Sequence, residues 1–301
     1  MSPNTSKQIL VGCCGWSYSD PADKGGWVGA FYPTASTKKL PYYSKFFRTV
    51  EMDSTFYKRF YKYMTPSTFR GMASSSPDGF EFSVKLPETI THDKRLDISK
   101  GVMIDLEEFL EKIMPLKIAR KLGVILIQLP PSFTVQEFKN TEQFLDGLPT
   151  DYEFAIEFRH PSWETEGPWD MLKHYNIATV LVDAPVNDKL GFLSNVTVTA
   201  NHSFVRFHGR DPIHRYNYLY SNEELKSWAS KIRKIQTQTG VVRSYFNNHY
   251  GAKAVINALQ FQQILGMELN EEQKKGLANS WNCVNQLSPA SKLDGYFSSD
   301  A

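Results

Sequence analysis

A chain of 301 residues and 34.5 kDa is longer than the commonest domain but within the range that α/β barrels fill as one unit. Its 41% hydrophobic, 14% aromatic and 22% charged residues exclude a disordered body, and a formal charge of +2 excludes a domain that is wholly a nucleic-acid footprint. Three cysteines without a CxxC pair give no disulfide framework or structural zinc site; with the polar start MSPNTSKQ and apolar runs no longer than 123–129, they lead us to expect a cytoplasmic protein with no membrane partner.

Read in order, the chain predicts strands alternating with helices. Residues 1–8 read as a flexible leader and 9–14 as a first strand, in which Cys13 and Cys14 look like small core residues; Trp16 and Tyr18 follow it. Leu40, Tyr43 and Phe47 recur at helical spacing before a second strand at 49–53, which Phe56 and Tyr57 follow. Pro66 suits the first turn of a helix running to about residue 74. A third strand at 80–85 leads into the loop ITHDKRL, long enough to serve as a lid, with His92 and Arg95 on it. Asp105 is expected to cap an amphipathic run through Phe109, Leu110, Ile113 and Met114 that Pro115 kinks or splits. Strands at 124–128, 154–157 and 179–183 follow, and residues 184–202 carry no convincing helix, so the sixth connection is expected to be irregular. The seventh strand, 204–208, precedes a capping box of Ser221 and Glu224 ahead of Leu225, Trp228 and Ile232; the eighth, 242–247, precedes a helix over 252–265. From 266 to 301 the chain turns polar, with a helix expected over 271–277 and a loose end.

Eight strands with intervening helices close a single-domain TIM (β/α)8 barrel over residues 9–265. Alternate strand residues of such a barrel face an interior normally filled by branched apolar side chains. Here alternation sends Glu51, Asp53, Glu81, Ser83, Lys85, Glu157, Arg159, Asp183, Arg206, His208 and Arg210 inward, with Val50, Met52, Phe82, Val84, Ile156, Phe158, Val180, Val182, Val205 and Phe207 against the helices. Charges converging on one axis must neutralise one another, meet solvent or meet a ligand, and these fall at the carboxyl ends of the strands, where barrel enzymes carry their chemistry.

Glu51 and Glu157 are the acid/base candidates, with Lys85 and His208 as further catalytic candidates; a buried carboxylate near neutral pH needs a raised pKa or a cationic partner. The structural alternative is an internal network in which the two glutamates pair with Lys85 and Arg206. Arg206 and Arg210 after the seventh strand, and Asn247 and Asn248 after the eighth, stand on the loops that hold phosphate in many barrels, though two asparagines equally suit a turn. Lys85, Arg206 and Arg210 form the expected anion clamp. Trp16, Tyr57, His92, Arg159, His160 and Asp183 complete the substrate-binding candidates. No cofactor is implied. Glu51, Glu157, Asp183, His208 and His249 can supply ligands to a divalent metal, but no pair has tight ligand spacing and the neighbouring Lys and Arg repel a cation.

At the same segments the chain resembles the YecE-like family, also called domain of unknown function 72. The resemblance rests on GWSY at 15–18, FYP at 31–33, VEMDSTFY at 50–57, FSVKLPETITHDKRL at 82–96, QLPPSF at 128–133, EFRHPSW at 157–163, VDAP at 182–185, RFHGR at 206–210 and YFNNHY at 245–250. It implies a TIM barrel over about 9–265 and supplies no reaction. Asp53 stands where the family pattern usually has Asn, residues 20–26 look like an insertion, and the chain beyond 266 lies outside the resemblance.

Taken together, these residues point to an enzyme, of hydrolase or lyase type, acting on a phosphorylated or otherwise anionic small molecule. Two alternatives stand beside it. One is a nucleic-acid-binding or phosphodiester-processing barrel in which basic residues meet phosphates and Trp16 or Tyr57 stacks on a base, against which the nearly neutral net charge counts. The other is a non-catalytic metabolite sensor.

Overall fold

The β-branched and apolar runs pair in chain order. A computed structural model of the protein describes residues 7–184, 197–211 and 213–287. The strands are β1 (Gln8–Cys14), β2 (Thr49–Met52), β3 (Glu81–Lys85), β4 (Leu122–Gln128), β5 (Glu153–Glu157), β6 (Ala178–Asp183), β7 (His202–Phe207) and β8 (Val241–Phe246). Each pairs in parallel with its neighbour and β8 closes on β1, giving a closed eight-stranded barrel. Helices α1 (Lys39–Tyr43), α2 (Lys58–Tyr61), α3 (Pro66–Ser74), α4 (Val102–Ile118), α5 (Phe138–Asp146), α6 (Glu166–His174), α7 (Asn222–Gln238), α8 (Lys253–Ile264) and α9 (Glu271–Leu287) complete the chain. Closure brings β1 and β2 close together: a Cβ on Gly12 would sit 2.2 Å from the Thr49 carbonyl oxygen, so only glycine fits there.

The strands match the sequence reading to within about two residues, and the differences have local causes. Gln8 pairs with Val241 and its N–H donates to the Gly240 carbonyl, so it belongs to β1 rather than to the leader. Ser221 caps α7 as expected, its hydroxyl accepting from the Glu224 N–H while the Glu224 carboxylate accepts from Ser221. Asp105 does not cap α4: the helix starts three residues earlier, after Gly101, and Asp105 pairs with Lys94 at 2.5 Å. Pro115 does not split α4 either, because it stands in the last turn, where the missing N–H interrupts little helix. The helix expected over 271–277 runs on to Leu287 and packs against the body, with Gly276 against the Phe46 ring and the Ser280 hydroxyl donating to the Ala30 carbonyl. The expected irregular connection lies largely in 185–196, and the loose end in 288–301, outside the described residues. No helix among the described residues is long and apolar enough to cross a membrane.

The core has two compartments. Between sheet and helices, residues such as Val50, Phe82, Val84, Ile156, Val205 and Phe207 pack with Phe109, Ile113, Trp228 and Phe261. Inside the barrel, Cys14, Val124, Leu126, Ala155, Ala178, Val180, Phe204 and Tyr245 form a second apolar cluster, with Val182 against it. The facing expected for β6 is therefore reversed: Val180 and Val182 point inward, and Leu181 packs in the outer layer. Asp183 turns outward with Leu181, accepting from the Trp228 indole and the Tyr220 hydroxyl of the helical layer. The run 178–182 is apolar on both faces apart from Thr179, so it gives no alternation from which to read the facing.

Candidate functional site

Polar side chains fill the remaining interior in tiers. At the amino-terminal end Arg243 of β8 binds Glu81 at 2.6 Å and Glu153 at 2.7 Å. Above it the Tyr245 hydroxyl lies 2.7 Å from the Thr49 hydroxyl and 2.8 Å from that of Ser83. At the carboxyl end of the strands Arg206 of β7 donates to both oxygens of Glu51, at 2.8 and 2.6 Å, and through Nη1 to Glu157 at 2.6 Å and Gln128 at 2.9 Å. Arg159 donates to the other Glu157 oxygen at 2.7 Å. Two carboxylates thus face two guanidiniums in a bonded cluster, which is how so much charge is tolerated out of water.

The bonding bears on Glu157, one of the two acid/base candidates. Burial favours the neutral carboxyl at Glu157, but Arg159 and then Arg206 outweigh it and hold Glu157 well below the usual carboxylate range, so it has no proton to give near neutral pH. Lys85 differs. It is only 5% exposed at the end of β3, forms no ion pair among the described residues, and rests its ammonium over the Phe56 ring, 3.6 Å from the centroid. Burial first, then the Arg206 and Arg159 guanidiniums, bring its pKa from 10.5 down to about 7; Glu157 and Glu51 offset only part of this. Lys85 is not the partner of either glutamate. The Thr55 hydroxyl donates to the Lys85 carbonyl at 2.7 Å and accepts from its N–H at 3.2 Å, fixing the main chain beneath the amine.

His208 is buried beside this cluster. Burial, reinforced by Arg206, pushes it well below its ordinary range, and Nδ1 faces the Asn247 side-chain amide nitrogen at 2.9 Å, which places the ring proton of the neutral imidazole on Nε2. His92 lies on a π-helical turn, Thr89–Asp93, and its ring meets the edge of Phe56 at 4.9 Å, so it shares that ring with Lys85. Burial, then Lys85 and Arg159, lower His92 to about 4. At the rim His249 is stacked between Tyr18 at 4.7 Å and Tyr216 at 5.4 Å, and Tyr57 stands 38% exposed. Asp53 acts electrostatically on Tyr18, Tyr57 and His249.

The match that decides relationship covers most of the chain: residues 10–279 fit the model of a protein family described as protein of unknown function DUF72. The chain belongs to the DUF72 family. The UPF0759 protein YunF of Bacillus subtilis is 29% identical over 287 residues, covering 86% of this chain and 95% of YunF. The UPF0759 protein YecE of Escherichia coli is 30% identical over 128 residues, 42% of this chain and 44% of YecE. Among solved structures, a DUF72 family protein of Thermotoga maritima superposes with a TM-score of 0.72 at 32% identity, over 86% of this chain and 99% of that one. One from Enterococcus faecalis, at 24% identity, TM-score 0.67 and 87% and 98% coverage, shares the fold. The DUF72 model extends past residue 266 into α9, in keeping with the packing of that helix.

Several expected site residues of this DUF72 chain lie elsewhere. Arg210 is not on the barrel axis: it follows the end of β7 and binds Asp183 and Glu224 between β6 and α7. With Arg206 held by Glu51 and Glu157 and Arg210 by Asp183 and Glu224, the three cations of the expected clamp do not converge. Asn248 is buried, its amide nitrogen donating to the Tyr218 carbonyl and to Asn257, so it ties β8 to the helical layer. Trp16 packs edge-on against Phe82, an outer-layer residue, at 6.0 Å. His160 caps the turn Pro161–Trp163, its Nδ1 accepting from the Ser162 N–H. No group of three or more metal-ligating side chains comes together among the described residues. An open cleft of about 530 Å³ at the other end of the barrel is lined by the exposed cations Lys7, Arg48 and Arg233 and is remote from these groups. The sequence reading missed Gln128, Tyr216, Tyr245 and Arg243. Gln128 was visible as the one polar residue ending an apolar strand, whereas Tyr216 lies outside any periodic element.

Proposed function

We propose that this protein is a cytoplasmic enzyme that transfers protons to or from a small anionic substrate at the carboxyl rim of the barrel, with Lys85 as the acid–base group. The observation that carries this reading is a buried strand-end amine without a carboxylate partner among the described residues, in a cluster whose arginines are paired. The guanidiniums outweigh the glutamates at the Lys85 nitrogen, which makes the potential there positive and favours an anion. Neutral His92, against the same Phe56 ring, supplies a hydrogen-bonding group beside it, and neutral His208 and the Asn247 amide pair with each other at the ends of β7 and β8. Three free thiols accord with a reducing compartment.

The test is a thermal-shift screen of carboxylate- and phosphate-bearing metabolites on the wild type and on Lys85→Met, an apolar side chain in place of a disfavoured buried ammonium. At a hundredfold excess over Kd a ligand adds about 2.7 kcal/mol to stability. Ligands that stabilise the wild type and lose that effect in Lys85→Met support the reading. Equal stabilisation of both proteins overturns it.

A second reading has one specific observation behind it. On the same rim Tyr57, Phe60 and Tyr63 are exposed and interleaved with Lys58, Arg59 and Lys62, the Arg59 guanidinium lying 4.7 Å from the Phe60 centroid. Stacking faces beside cations are what a single-stranded nucleic acid binds. Fluorescence anisotropy of a labelled oligothymidylate should then weaken steeply with salt, and binding that ignores salt excludes it.

A further inference from the structure

From the placement of Lys85 we infer that its amine forms a covalent imine with the carbonyl carbon of a small oxo acid or phosphorylated aldehyde or ketone. The inference rests on the reading of Lys85 as the reactive group and names the substrate class that reading leaves open. An imine-forming lysine must be held still, must be neutral part of the time, and must lack a carboxylate that would keep it an ammonium. Lys85 meets the first condition through Thr55, which grips both its main-chain N–H and its carbonyl, and through the Phe56 face under its nitrogen. It meets the last because each oxygen of Glu51 and Glu157 is already engaged by Arg206 or Arg159. For the second, a pKa of about 7 leaves roughly half of the amine neutral at pH 7, against about one part in a thousand or fewer for an exposed lysine.

The step balances without a further reactant. The neutral amine attacks the carbonyl carbon, a C–N bond forms, and the carbonyl oxygen receives a proton as the nitrogen loses one, giving a carbinolamine. The C–O bond then breaks as the nitrogen gives up its second proton to the departing oxygen, which leaves as water, and C=N remains; nothing is oxidised or reduced. Glu157, held ionised, cannot supply that proton. His92 is uncharged at pH 7 as well and so serves as a relay rather than as an acid: lying against the same Phe56 ring as the amine, its imidazole takes up the proton the nitrogen loses and passes it to the oxygen. The acid group of the substrate answers the excess of Arg159 and Arg206 over the glutamates at this position.

The experiment is reductive trapping on the whole chain. Wild type, Lys85→Met and Lys85→Arg are incubated at pH 7 with glyoxylate, pyruvate or glyceraldehyde 3-phosphate and sodium borohydride, and the adducts are located by peptide mass spectrometry. The expected result is a single reduced adduct on Lys85, formed about tenfold or more faster than on any other lysine, and absent from both variants. Labelling spread over surface lysines at one rate in all three proteins overturns the imine. A parallel arm follows trinitrobenzenesulfonate modification of Lys85 with and without inorganic phosphate or sulfate. Protection by these anions, with no carbonyl trapped, overturns the imine and leaves the acid–base reading intact. Modification of Lys85 at the rate of surface lysines, unaffected by anions, overturns both.

Discussion

Arg206 is the residue about which the barrel interior is organised. With Nε, Nη1 and Nη2 all bonded, it cannot release Glu51 or Glu157 to solvent without leaving a buried charge uncompensated. Glu157→Gln leaves Arg159 and Arg206 short of one negative charge, and breaking a buried pair in this way costs about 3–5 kcal/mol. The pH dependence has a definite sign. The folded-state pKa of Glu157 lies below the unfolded value, about 4.3, so its contribution is present above that pH and is lost as pH falls toward the lower folded value. Urea midpoints of wild type and Glu157→Gln should therefore be well separated at pH 7 and draw together below pH 4. A variant with the wild-type midpoint at pH 7 would show that the network does not hold the fold.

Among the elements, β6 and α7 are joined by one carboxylate. Asp183 accepts from Trp228 of α7, from the Tyr220 hydroxyl at 3.0 Å and from Arg210 at 2.7 and 2.5 Å. Asp183→Asn replaces an acceptor oxygen by a donor facing donors and leaves Arg210 with Glu224 as its remaining counter-charge. A cost of about 2–4 kcal/mol follows, with no change in ligand-dependent stabilisation at Lys85. Loss of that stabilisation in a folded Asp183→Asn protein would return Asp183 to the site. What was legible in the sequence divides along this line. The capping box at Ser221 and Glu224, the proline opening α3 and the inward facing of Glu51, Lys85, Glu157 and Arg206 depend on neighbours a few residues away. The outward turn of Asp183 depends on Trp228, forty-five residues on, and the loss of Arg210 from the axis follows from it. Spacing also cannot tell which carboxylates a cation will meet: of the alternative that paired the glutamates with Lys85 and Arg206, the Arg206 half holds, and Arg159 stands where Lys85 was offered.

For the molecule as a whole, a closed barrel leaves no sheet edge to protect, so its exposed liability lies in the long first connection. That segment buries Trp27, Phe31, Tyr32 and Phe46, with Tyr42 half-buried beside them, in edge-to-face contacts rather than under a long helix, α1 having only five residues. The covering element is α9. Gly276 admits the Phe46 ring, the Gln273 amide donates to the Phe46 carbonyl at 2.7 Å, Lys45 pairs with Glu272 at 3.0 Å, and Ser280 and Val284 are buried. A chain ending at residue 266 keeps all eight strands but uncovers this cluster, and at about 25 cal/mol for each Å² of apolar surface returned to water the loss amounts to several kcal/mol. For a single domain of this size the corresponding fall in Tm is on the order of 10 °C. Calorimetry of the truncated and full chains measures it, and binding of a hydrophobic dye by the truncated chain reports the uncovered rings. Equal Tm values for the two chains would make α9 an appendage, and the aromatic packing of the first connection would then have to be sufficient without it.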